Sequence, residues 1–142
     1  MSIRSSAIAQ GQGLLDHMDS VTHILSKKRK EQAKAKLRFK KSEENLAIMT
    51  RDGTIQLMSN EVLAQGVKEQ PEAWQQWYID RELEKDELWV AAYTEYSDAQ
   101  AELYTLEVDL IDLSEQLGTS KSQSRLLSSM LLIMAEDTDG SV

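Results

Sequence analysis

Residues 89–117, WVAAYTEYSDAQAELYTLEVDLIDLSEQL, set the architecture of this chain. Within them Trp89, Ala92, Tyr96, Ala99, Leu103, Leu106, Leu110, Leu113 and Leu117 recur at alternating steps of three and four. That spacing lays one apolar stripe along a helix and requires a second helix to cover it. Upstream, the helix extends back to about Pro71, which suits a first helical turn because its missing N–H has no partner there anyway. Over 71–117 such a helix is on the order of 70 Å long, at about 1.5 Å per residue. A small globule of this chain could not cover it, so it must lie against another long helix, other copies of the chain, or both.

A cover exists nearer the N-terminus. Between about Leu14 and Leu46, the positions Met18, Val21, Leu25, Lys28, Gln32, Ala35, Phe39, Ser42 and Leu46 follow the same alternation and predict a helix over 14–47. This second stripe is diluted at Lys28 and Gln32. Next comes LAIMTRDGTIQLM (46–58), where Asp52-Gly53 reads either as a hairpin turn between two short strands or as a helix stop with Gly53 in a left-handed cap. The stop is favoured, giving a break at 48–58 and a short helix at 59–66. At the other end, Gly118 is expected to close the long helix. A C-terminal helix over 120–135 then begins at Thr119 or Ser120, followed by a loose acidic tail at 136–142.

Composition agrees. The 142 residues suit one domain, and one Pro, six Gly and 6% aromatic residues favour helices over sheets. The expected fold is all-α: a long antiparallel helical hairpin, coiled-coil-like, with a short C-terminal helix, and oligomeric. The absence of Cys excludes disulfides and thiolate zinc sites and fits a cytoplasmic setting. MSIRSSAIAQGQG at the start has no continuous apolar run and no stretch is long enough to span a bilayer, so neither export nor a membrane partner is expected.

Charge is segregated. Residues 27–41, KKRKEQAKAKLRFKK, carry nine Lys or Arg and one acid in a chain of net charge −8, whereas 79–116 hold twelve Asp or Glu against two basic residues. On a helix Lys27, Lys30, Lys34, Arg38 and Lys41 form one stripe beside the apolar positions, a geometry able to follow a phosphate backbone. The competing reading is that the acidic helix neutralises it. Trp74, Trp77 and Tyr78 could stack unpaired bases or serve simply as core. His17 and His23 are six apart, which separates them on a helix, and no second ligand pair supports a metal. With no Gly-rich phosphate loop and no nucleophile–base constellation, neither an enzyme nor a cofactor is expected. Leu126, Leu127, Met130, Leu131 and Met134 share one face of the last segment and are expected to join copies of the chain.

The order of parts resembles the UvsY-type recombination mediators of tailed phages. The resemblance rests on Lys34, Ala35, Lys36, Leu37 and Phe39 in KAKLRF, on Gly53, on NEVLAQGVKEQPE, and on LEVDLIDLSEQLG leading into KSQSRLL. Here Phe39 is followed by Lys40 where the family carries a second aromatic residue, and the last helix is more apolar than the family's. The resemblance implies helical subunits in ring-like oligomers that bind single-stranded DNA, with Lys34 and Lys36 as contacts. It also implies a RecA-like recombinase and single-strand-binding protein as partners, in a phage-infected bacterial cytoplasm. The expected function is therefore that of a single-stranded-DNA-binding accessory in recombination or replication, through Lys27, Lys30, Lys34, Lys36, Arg38 and Lys41. Two rivals stay open: a structural coiled-coil component of a phage particle or its assembly, and an acidic DNA mimic that inhibits a DNA-binding enzyme.

Overall fold

The computed structural model describes residues 2–140, with side chains described for 2–136. Four helices follow one another: α1 (Ile3–Leu57), α2 (Glu61–Lys68), α3 (Glu72–Leu83) and α4 (Glu87–Gly140). No strand occurs among the described residues, so the hairpin-turn reading of Asp52-Gly53 is excluded. The long helix α4 packs against α1, and two compact units are distinguished by their contacts.

The described residues of Met1–Gln32 and Leu106–Val142 form the first unit. Its interior is the continuation of both stripes, with Ala7, Val21 and Leu25 of α1 buried, as are Leu106 and Ser120 of α4. Lys28 Nζ lies 3.6 Å from Asp109 Oδ2, while Gln10, Gly13 and Leu14 share a groove with Gln123, Leu126 and Leu127. Earlier residues of α1 thus meet later residues of α4, and the two helices are antiparallel here.

Residues Ala33–Thr105 form the second unit. The same antiparallel order holds: Trp89 Nε1–H donates to Thr50 Oγ1 at 2.9 Å, and the rings of Phe39 and Tyr96 lie 5.3 Å apart. Ala35, Ala92 and Ala99 are buried between the helices. The short helices are defined by their starts. Asn60 Oδ1 accepts from the N–H groups of Val62 and Leu63 to cap α2, and the Pro71 carbonyl accepts from Trp74 and Gln75 at the start of α3.

Four boundaries differ from those predicted, each for a physical reason. α1 begins at Ile3 rather than near Leu14, because Ala7 and the half-buried Gly11 and Leu14 extend the stripe backwards and Ser2 Oγ accepts from the Ser5 N–H as a cap. α1 also runs through Gly53 to Leu57, which overturns the predicted break at 48–58. Gly53 is no left-handed cap, since no glycine among the described residues has positive φ. Its small size is what matters: a Cβ there would stand 2.6 Å from Leu83 Cδ2, so Gly53 lets α3 approach α1. Gly53→Ala is accordingly expected to destabilise by about 1 kcal/mol, the overpacking against the terminal methyl of the buried Leu83 outweighing the gain in helix propensity. A denaturant melt showing Gly53→Ala as stable as the parent protein would contradict this.

The predicted helix over 71–117 is interrupted at 84–86, where Asp86 Oδ1 accepts from the Leu88 N–H and starts α4 afresh. Gly118 does not end α4, which continues to Gly140 in place of a separate helix over 120–135. The alternation of three and four runs on through Ser120, Ser124, Leu127, Leu131 and Met134, all at least half-buried. One helical glycine costs only about 1 kcal/mol, less than that continuous stripe contributes. Of the predicted loose tail, residues 136–140 are helical, while the side chains of 137–140 and all of residues 141 and 142 lie outside the described residues.

Candidate nucleic-acid interface

The basic segment 27–41 lies wholly within α1. Lys27, Lys28, Arg29 and Lys30 belong to the first unit, and Lys34, Lys36, Arg38, Lys40 and Lys41 to the second. Two of the nine have acidic partners. Lys28, on the buried stripe, sits near Asp109 and Glu31. Arg38 makes a bidentate pair with Glu95, its Nε donating to Oε1 at 2.8 Å and its Nη2 to Oε2 at 3.0 Å, and its Nη1 donates to Glu102 Oε2. Those bonds push the Arg38 guanidinium pKa above its usual value, Glu95 contributing most. They hold the Glu95 carboxyl below its usual range. Because the pair is solvent-exposed, it sets orientation more than it adds stability.

The other seven, Lys27, Arg29, Lys30, Lys34, Lys36, Lys40 and Lys41, are exposed and have no ion-pair partner among the described residues. The acidic helix therefore neutralises only part of the basic segment. Each free ammonium or guanidinium can neutralise a phosphate and release condensed counterions.

The segment does not present one face. At about 100° per residue, Lys34 and Lys36 stand about 200° apart around α1. Lys34 lines an open groove of about 470 Å³ with Leu37, Arg38, Lys41, Asn45 and Glu95. Lys36 falls on the opposite flank, one heptad before Glu43, which lines a different groove with Ala47, Thr50 and Tyr96. The two residues that the resemblance pairs as contacts thus serve different surfaces.

The remaining site residues are also placed. The apolar face expected at the end of α4 divides in two, with Leu127, Leu131 and Met134 half-buried on the stripe and Leu126 and Met130 exposed. Leu132 and Ile133 join the exposed set. On α3, Trp74 and Trp77 are exposed rather than part of the core. They hold one another instead: Trp74 stacks on Tyr78 with centroids 5.4 Å apart, and the Arg81 guanidinium lies 5.1 Å from the Trp77 ring centroid. Residues 69–87 carry seven acids against two bases, a setting that repels a phosphate backbone. Three or more His, Asp or Glu side chains grouped to hold a metal ion are not found among the described residues.

Sequence reasoning missed Glu95 and Glu102, which claim Arg38, and Tyr93 and Tyr104, which flank the α4 stripe. Their positions beside the apolar heptad carried the signal, but only the pairing register reveals which flank of α1 each one faces. Compared with known proteins, the chain matches no family model, no curated protein and no solved structure. No helix among the described residues is long and apolar enough to cross a membrane.

Proposed function

We propose that this chain is a non-enzymatic, self-associating protein that binds single-stranded DNA through the basic segment of α1 and assists recombination or replication. One observation carries the reading: seven of nine basic residues in 27–41 remain exposed and unpaired although α4 is strongly acidic. Had the segment existed only to hold the hairpin together, its charges would be matched by those of α4. Self-association is supported by the exposed Leu126, Met130 and Ile133 along one flank of the end of α4, an apolar surface of the kind that joins subunits. The recombination setting, with a RecA-like recombinase and single-strand-binding protein as partners, rests on the resemblance of 34–39 and the later helices to UvsY-type mediators.

The test is a titration with fluorescent oligothymidylate at two salt concentrations, on a sample whose mass is measured by light scattering. With four phosphates neutralised per copy, affinity should fall about 50-fold between about 50 and 200 mM salt. The mass should be a multiple of the 16.1 kDa chain. Absence of binding at the lower salt would leave the basic segment as a solvated helix face and favour a structural coiled-coil role.

A further inference from the structure

The two flanks of α1 in the second unit are chemically unlike. On the Arg38 flank α4 presents Glu95 and Glu102, both bonded to the guanidinium, so a phosphate entering there meets two carboxylates. On the other flank α1 presents Lys36, Lys40, Glu43 and Ala47 at steps of four, three and four. The matching positions of α4, Tyr93, Ser97, Gln100 and Tyr104, carry no charge. Tyr96 fixes the correspondence, since it lines a groove with Glu43, Ala47 and Thr50 and touches Phe39. With Phe39 beside Tyr96 and Arg38 bonded to Glu102, Tyr104 comes within about a turn of the level of Lys36.

The tyrosines are open. Tyr104 is 68% exposed and makes no ring contact among the described residues. Tyr93 is 49% exposed, with one face stacked on Trp89 at 5.3 Å and 13°. Tyr104, near the level of the unpaired Lys36, suits an unpaired base with its phosphate, because every base has a stackable face and the ammonium takes the backbone charge. Tyr93, one turn from Trp89, lies nearer the level of Glu43 and Ala47 and offers its ring alone. A duplex offers no such face, its bases being stacked on one another.

We propose that Tyr104 and Tyr93 of α4, together with Lys36 and Lys40 of α1, form a track on which unpaired bases stack, so that single strands are selected over duplex. This rests on the nucleic-acid reading above and adds that α4, acidic overall, supplies the base contacts from its uncharged flank. Lys34 and Lys41, which share their groove with Glu95, then contribute mainly long-range attraction.

The experiment compares Tyr104→Ala, Tyr104→Phe, Tyr93→Ala and the parent protein, using fluorescent oligothymidylate and a duplex of equal length. Tyr104→Ala should weaken oligothymidylate binding about tenfold, leave its salt slope unchanged and leave duplex binding unchanged. Tyr104→Phe should bind as the parent does, because stacking needs the ring and not the hydroxyl. Tyr104 makes no ring contact, so helical circular dichroism and melting should not move in its variants, while Tyr93→Ala, which loses the contacts with Trp89 and Tyr96, should keep its helical content and melt slightly earlier. Parental affinity for single strands in both alanine variants overturns the track while leaving the basic segment of α1 as the binding site. Equal losses for single strand and duplex also overturn it, since stacking cannot account for them. If the parent protein binds neither nucleic acid, the reading beneath the track fails.

Discussion

Leu106→Asp is expected to abolish the cooperative thermal melt. Leu106 is 7% exposed on the α4 stripe, and the substitution places a carboxylate where a branched apolar side chain was, one turn from Asp109, which already holds Lys28, the cation of the facing stripe. Burying an unpaired charge costs several kcal/mol, and the lost apolar contacts add about 2 kcal/mol or more. Against a total stability of about 5–15 kcal/mol, the sum unfolds much of the population near room temperature. Circular dichroism should show a shallow, early transition. The control is Ala101→Asp, an exposed position on the same helix, which should alter stability by no more than about 0.5 kcal/mol. Were Leu106→Asp to melt like Ala101→Asp, the apolar stripe would not be what holds α4 in place.

The second large effect concerns binding rather than folding. Changing Lys34, Lys36, Lys40 and Lys41 together to Glu should weaken single-stranded DNA binding by on the order of 100-fold or more at about 50 mM salt, because attraction is lost and repulsion put in its place. All four are exposed and unpaired, so helical content should persist. The melting temperature should fall by several degrees: with Glu31, Glu43 and Glu44 the new carboxylates make five like-charge pairs three or four residues apart, each costing tenths of a kcal/mol, about 1–2 kcal/mol together. The same four changed to Gln should give an intermediate loss with a reduced salt slope. Retained affinity in the Glu variant, measured by fluorescence anisotropy, would mean that binding does not run through residues 34–41.

Much of the fold was legible because its dominant force is periodic. Each of the nine stripe positions named on α1 from Met18 to Leu46 is buried or half-buried, and so is each of the nine on α4 from Trp89 to Leu117. Lys28 and Gln32, which dilute the first stripe, are half-buried with it, and Lys28 finds Asp109. The differences cluster at Gly53, Gly118 and Asp86, where a local signal competes with a distant one. Gly53 and Gly118 look like terminators when their own neighbours alone are considered. In the fold Gly53 makes room for Leu83, thirty residues away in sequence, and Gly118 is carried along by apolar positions on both sides. Asp86 sits inside an acidic run, where one more carboxylate does not announce a helix start.

An all-helical chain, two apolar stripes with their phase, and the separation of charge between 27–41 and 79–116 all follow from the order of the amino acids alone. These are short-range properties, set by the 3.6-residue period of the helix and by which side chains occur at each position. Which basic residues stay free is settled later, when the helices pack. Arg38 and Lys36 are equivalent in the sequence, both members of one basic run, yet α4 presents two carboxylates to the first and an uncharged, tyrosine-bearing flank to the second. That difference depends on the register in which the helices meet, and register is a property of the packed pair. Neither helix specifies it alone.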